Sequence, residues 1–390
     1  MVSELKRVVI YTWAIPQGGL FKVIEKEYEY LSKMIDAPLF VTSEPVPEPY
    51  KEEFRKIHGV SLSESIESIY DRDLSFFFPG LDISIKGGIV ENIRLMYGFL
   101  LREKPHTILV HQLLSAFIVL PYSIIHRTRV VLVLHDNPFM FIENNSKNRI
   151  GLKSLILMYL AYMVEKLTLK RSMYVICTTS QIKESVMSHL DTDKNLVVAS
   201  YGLDTFTRVK MQKRDVILTV TKWSRFRRPE MYLKVLKQLP ENISLTIAGR
   251  WDSEKDLSAF LVSVDSMGLS DRVETIRNLT EDELSKLYDR TKVFLRLGFN
   301  ETGTGQAILE AIGHGCPVVI SKGLGASEFV RDGVNGFIVN ENHPADVASR
   351  IKEIYSSDDL FYSMSDAAYT LAESSGWENY LAKILETIKS

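Results

Sequence analysis

The chain has 390 residues, 45% of them hydrophobic and 25% charged, with a formal net charge of −2. That length exceeds what one hydrophobic core fills, so two domains of roughly 150–200 residues are expected. The near-neutral balance gives no global attraction to nucleic acid, and two distant cysteines, Cys177 and Cys316, argue against a disulfide framework or a CxxC zinc site.

The N-terminal MVSELKRVVIYTWAI runs straight into a strand pattern without a small-residue cleavage site, so no signal peptide is expected and the chain reads as cytoplasmic. Sequons at Asn144, Asn242, Asn278 and Asn300 are therefore read as unmodified. In the first half, short β-branched runs predict strands at 7–15, 38–43, 106–113, 129–136, 173–179 and 195–200. In the second half the corresponding runs lie at 215–222, 243–249, 272–277, 292–298, 316–322 and 336–340. Most are continuously apolar rather than alternating, as parallel strands covered on both faces are. Their alternation with helical patterns predicts α/β units.

The pattern runs twice, and the break is the polar stretch YGLDTFTRVKMQKRD near 202–215. The expected domains are 1–205 and 206–375, two doubly wound Rossmann-like sheets facing across a cleft lined by strand carboxyl ends. The closing helix, 376–390, has an apolar stripe of Trp377, Tyr380, Leu381, Ile384, Leu385 and Ile388 and must dock on one of them.

The chemistry concentrates in FNETGTGQAILEAIGHGCPVVIS, 299–321, a strand-to-helix loop followed by an apolar helix. First-turn amides of Gly303, Thr304, Gly305 and Gln306 have no intrahelical partner and, with the helix dipole, form an anion site. Glu310 falls two turns on, roughly 10 Å along the axis, where its carboxylate would accept ribose hydroxyls of a nucleotide whose diphosphate sits at the helix start. Against this stands an ordinary loop with Glu310 on a solvated face. A second strand-to-helix turn, TVTKWSRFRRPEMYLKVL, gathers Lys222, Arg225, Arg227 and Arg228, placed to neutralise a diphosphate leaving group. Gly18 and Gly19 follow the first strand of the first domain and would face the same cleft.

With these motifs in their order, the chain resembles glycosyltransferase family 4, whose members have the two-Rossmann GT-B fold. Gly18-Gly19 matches the family's first loop, and His135-Asp136 in VLVLHD matches its "HD" strand end. VTKWSRFRR is similar to its "VGRL…KG" element, with Lys222 and Arg227 at the cationic positions. ETGTGQAILEAIGHGCPVV is similar to "EGFGLxxLEAMAxGxPVV", and GLGASEFVRDGVNGFIV, with Glu328, to a later element. The spacing departs by one residue: eight rather than seven separate Glu301 from Glu310, so either Glu301 or Thr302 fills the first-glutamate position, with Glu301 favoured. Arg277 stands where a glycine is usual, near the loop expected to meet the base.

The resemblance implies a retaining transfer of a hexose from a UDP- or GDP-linked sugar to an acceptor hydroxyl, a glycan or lipid-linked glycan, without a metal cofactor. In that reading Lys222, Arg227 and Arg228 meet the diphosphate with the amides of 303–306. Glu310 holds the ribose, Glu301 orients the donor sugar, and His135 shapes the acceptor side, with His111 a weaker candidate. DxD-like pairs at Asp71/Asp73 and Asp191/Asp193 are read as chance. The apolar run at 155–164 is about half the length that spans a bilayer. Within 147–171 it is flanked by basic residues and reads either as a helix lying on anionic lipid or as a core helix with snorkelling lysines. The rival readings are a non-catalytic nucleotide-sugar-binding GT-B subunit and a nucleotide-sugar epimerase.

Overall fold

The computed structural model describes residues 7–13, 19–35, 38–43, 52, 59–62, 89–139, 152–190, 195–206, 208, 214–224, 227–298 and 301–390. Two compact units emerge: Met1–Tyr201 together with Asn379–Ser390, and Gly202–Glu378.

The first unit holds a parallel sheet of β1 (Val8–Thr12), β2 (Leu39–Thr42), β3 (Val60–Ser61), β4 (Thr107–His111), β5 (Arg129–Leu134), β6 (Tyr174–Cys177) and β7 (Leu196–Val198). Their spatial order is β3-β2-β1-β4-β5-β6-β7. Every residue of β1 and β4 is buried, which is why these segments read as unbroken apolar runs. The two-residue β3 is too short to leave a periodic signal. Between the strands run α1 (Gly19–Ser32), α2 (Ile89–Glu103), α3 (Leu113–His126), α4 (Leu152–Arg171) and α5 (Ser180–Leu190). Strand order reverses between β1 and β4, where Thr12 pairs with His111. Such a reversal opens the crevice in which α/β sheets bind ligands.

The second unit repeats the plan with β8 (Val216–Val220), β9 (Ser244–Ala248), β10 (Val273–Ile276), β11 (Thr291–Arg296), β12 (Val318–Ser321) and β13 (Gly336–Val339), in the order β10-β9-β8-β11-β12-β13. Its helices are α6 (Glu230–Leu236), α7 (Glu254–Ser266), α8 (Glu281–Asp289), α9 (Gln306–Gly313), α10 (Pro344–Ser356) and α11 (Asp358–Ser374). Local chemistry fixes several starts: Ser253 accepts from the Asp256 amide ahead of α7, and Thr280 with Glu283 forms a reciprocal cap on α8. Here the reversal lies between β8 and β11, so the loops after these two strands define the unit's ligand edge. The segment entering this unit runs beside the one leaving it: the Leu203 amide donates to Ser375 O at 2.8 Å, and Trp377 Nε1 to Asp204 Oδ1 at 3.0 Å. Gly202 is required there, because a Cβ would lie 2.3 Å from the Trp377 backbone.

The last helix, α12 (Glu378–Lys389), belongs with the first unit from Asn379 onward. It buries Tyr380, Leu381, Ile384, Leu385 and Ile388, the stripe legible in the sequence.

Candidate functional site

The carboxyl ends of β8 and β11 bring the basic turn and the glycine loop of the second unit to one edge. Glu301 is the junction. Its carboxylate is held from one side by Arg296, 2.5 Å away, and from the other by an ion pair with Arg227. Arg296 is 5% exposed, and its guanidinium also reaches the Tyr232 hydroxyl and Leu297 O, each at 3.2 Å. Burial opposes the charge of Arg296, but Tyr232 and Glu301 outweigh it and raise its pKa. The Glu301 backbone is pinned as well: its carbonyl accepts from the Gly325 amide at 2.8 Å. Gly325 sits so close that a Cβ would meet Thr302 O at 2.0 Å. The turn Gly325–Phe329 carries Glu328, which is exposed.

Helix α9 starts without a side-chain cap. Its N-cap, Gly305, has φ 65°, a left-handed backbone that glycine adopts without steric cost. Thr304 is buried, and its Oγ1, like Gln306 Nε2, has no hydrogen-bond partner within the protein. Buried polar atoms are normally satisfied, so two at one uncapped helix start mark a place built to receive polar atoms. One turn further in, Glu310 is part-buried, with Oε2 3.2 Å from the hydroxyl of Tyr288, a residue of α8. Burial, then the Glu310 charge, pushes the Tyr288 phenol well above its usual range, so it remains a hydrogen-bond donor.

Other residues singled out from the sequence have neighbours of their own. Lys222 pairs with Asp252 at 2.7 Å, beside the stacked Trp223 and Trp251. Arg228 lines a cavity of about 380 Å³ with Glu230, Met231, Lys234, Glu341, Asn342 and Pro344, which includes none of 301–310. Arg277 pairs with Glu254 at 2.5 Å. In the first unit Gly19 opens α1, while Gly18 lies outside the described residues, as do Arg225, Asp71, Asp73, Asp191 and Asp193.

His135 has both ring nitrogens engaged by the protein: Nε2 lies 3.0 Å from His111 Nδ1, and Nδ1 contacts the Tyr201 hydroxyl. Burial first, and His111 second, hold its pKa well below the ordinary imidazole value. Beyond His111 lies Glu27, fully buried on α1. Sequence reasoning missed Arg296 and Glu27, although both left a signal. Arg296 is the one charge inside the apolar core of VFLRLG, and Glu27 occupies the helical stripe of Val23, Ile24 and Leu31.

Known proteins place this architecture. Sucrose-phosphate synthase from Thermosynechococcus elongatus superposes with a TM-score of 0.79 at 15% identity, over 98% of both chains. The Anabaena HepE protein in complex with UDP and glucose superposes with a TM-score of 0.76 at 15% identity, over 98% of this chain and 99% of that one. Two parallel sheets, each reversing its strand order once, with these neighbours define the GT-B fold. Residues 204–371 match the family described as glycosyl transferases group 1. A relative in Paenarthrobacter aurescens, D-inositol 3-phosphate glycosyltransferase, is 27% identical over 233 residues, 55% of this chain and 57% of the relative. The chain spans about half the length of the curated relatives it matches.

Proposed function

We propose that this chain transfers a hexose from a nucleoside diphosphate sugar to an acceptor hydroxyl, with retention at the anomeric carbon, the second unit binding the donor and the first the acceptor. One observation carries the reading: the uncapped start of α9, where Thr304 Oγ1 and Gln306 Nε2 are buried without partners beside Glu310 and the Arg227–Glu301 pair. A diphosphate at the amides of 303–306 would satisfy these atoms and accept the dipole of α9. Glu310 then lies along the helix at the distance of a ribose, with Tyr288 holding its carboxylate in place. The solved HepE complexes with UDP, with UDP and glucose, and with UDP-glucose support a donor of this class.

In this mechanism Arg227 leaves Glu301 for the diphosphate, where its charge and that of Lys222 stabilise the departing phosphate oxygen. Arg296 remains on Glu301 and keeps the carboxylate aimed at the donor sugar. Protein cations and helix amides serve the leaving group, so turnover is expected to survive EDTA.

The experiment is a thermal-shift screen of UDP- and GDP-sugars, repeated with Glu310→Ala. A donor at a hundred times its Kd adds about 2.7 kcal/mol of stability. Equal stabilisation of variant and parent removes Glu310 from the site. Donor binding without acceptor-dependent release of nucleoside diphosphate would favour the non-catalytic subunit instead.

Among the described residues, no helix is long and apolar enough to cross a membrane. Helix α4 nonetheless exposes Tyr159, Met163 and Leu167, four residues apart on one face, with Lys166, Lys170 and Arg171 close by. That combination suits peripheral contact with anionic lipid and hence a lipid-linked acceptor. Co-sedimentation with anionic vesicles at low salt tests it, and an absence of binding disposes of it.

A further inference from the structure

The second unit holds a cavity that the sugar-transfer reading does not use. It lies between α6, which follows β8, and α10, which follows β13, two helices that pack against each other. Its volume, about 380 Å³, falls at the small end of ligand pockets, about 300–1,000 Å³. Glu341 is its most enclosed wall. That side chain is 7% exposed, yet among the described residues its carboxylate makes no ion pair. Its one hydrogen bond is a 3.5 Å contact from the Asn342 side-chain amide. A buried carboxylate is costly without donors, and the protein supplies Glu341 with almost none.

The rest of the wall carries charges that are kept apart. Arg228 and Lys234 are exposed cations, and Glu230 is an exposed carboxylate. Glu230 and Lys234 stand four residues apart on α6, the spacing of a helical ion pair. Among the described residues, neither they nor Arg228 forms one. Arg228 also holds φ 46°, a left-handed backbone uncommon for a bulky side chain. Such conformations persist where the surroundings over-determine them, and they collect at functional sites.

Two cations and two carboxylates cancel, so the lining as a whole favours neither an anion nor a cation. It offers donors on Arg228, Lys234 and Asn342, acceptors on Glu230 and Glu341, and apolar surface on the Met231 side chain. A ligand that meets all three is neutral, carries several hydroxyls, each both donor and acceptor, and has a C–H face. That is the chemistry of a sugar ring. We propose that this cavity is a carbohydrate-binding site, separate from the donor site, in which Glu341 accepts from ring hydroxyls while Arg228 and Lys234 donate to them. No lining residue belongs to 301–310. The lining alone names this ligand, whatever reaction the chain performs.

The test is 13C–1H NMR of the full chain labelled at methionine methyls, with the Met231 signal identified from Met231→Leu. Titration with D-glucose, D-mannose or D-galactose is expected to move that signal, saturating on the order of millimolar sugar, as suits a small polar ligand. Glu341→Gln removes the charge that strengthens these hydrogen bonds, so affinity should fall about tenfold. Its thermal stability should stay at or above that of the parent, because a buried charge goes with the substitution. A carboxylate with a purely structural role would lose stability instead. Lys234→Ala, at an exposed position, should also weaken the response, and Glu310→Ala should leave it unchanged. A Met231 signal that none of these sugars moves at roughly tens of millimolar overturns the proposal. So does a response in Glu341→Gln and Lys234→Ala equal to the parent's. An equal response to inorganic phosphate or L-glutamate also overturns it, marking an anion or zwitterion site. None of these readouts requires turnover or nucleotide, so failure here is distinguishable from failure of the sugar-transfer reading.

Discussion

Breaking the carboxylate that joins two arginines should destabilise the second unit more than its partial exposure suggests. Replacing Glu301 by Gln leaves the Arg296 guanidinium, only 5% exposed, with Tyr232 and Leu297 O but no counter-charge. Stranding a buried charge costs about 3–5 kcal/mol. Because a quarter of the Glu301 side chain reaches solvent, the lower end, about 3 kcal/mol, is expected. Arg296→Met removes the buried cation itself, while Glu301 keeps Arg227, so the cost falls to about 1–2 kcal/mol, one charge-assisted hydrogen bond. In the double variant nothing is stranded. The cost should therefore be less than additive by about 2 kcal/mol. Three of the four tryptophans, Trp223, Trp251 and Trp377, lie in the second unit, so fluorescence during urea unfolding reports on it. For a unit of this size 1 kcal/mol moves Tm by about 2–4 °C, so Glu301→Gln should lose about 6–12 °C. Additivity within about 0.5 kcal/mol would refute the clamp, since uncoupled sites behave that way.

Other outcomes follow from the same structure. Gly325→Ala would drive its Cβ into Thr302 O and displace the loop before α9, so nucleotide affinity should fall at least about tenfold while circular dichroism is unchanged. Unaltered affinity would separate that loop from the donor site. Burial pushes the thiols of Cys177 and Cys316 to about 12, so iodoacetamide at pH 8 should label neither until urea unfolds the chain. Burial also raises the Glu165 carboxyl to about 8, and its Oε2 has no partner in the protein. The folded state therefore holds this proton more tightly than the unfolded one. The resulting stability is complete below about pH 4.5 and is lost as pH rises to about 8, at no more than about 1.4 kcal/mol per pH unit. Glu165→Gln should flatten that slope and stabilise the chain at pH 9; a parallel profile would show that Glu165 ionises freely.

The fold was legible because its causes are local. Buried parallel strands need continuous apolar runs, and twelve such runs, punctuated by helical periods and one polar break, left few architectures other than paired doubly wound sheets. The uncapped start of α9 was legible for a similar reason: its glycines are written in consecutive residues. What the sequence alone could not decide was pairing. Arg296 and Glu301 are neighbours that a reading by motif assigns to different jobs, a strand and a sugar contact, yet folding joins them through one part-buried hydrogen bond. His135 looked like an isolated polar residue at a strand end. Only the parallel register of β4 and β5, with α1 and the returning C-terminal helix packed nearby, sets His111, Glu27, Tyr201 and Tyr380 around it. Hydrogen bonds between residues as many as 353 positions apart depend on where the chain goes after many turns, and no local pattern encodes that.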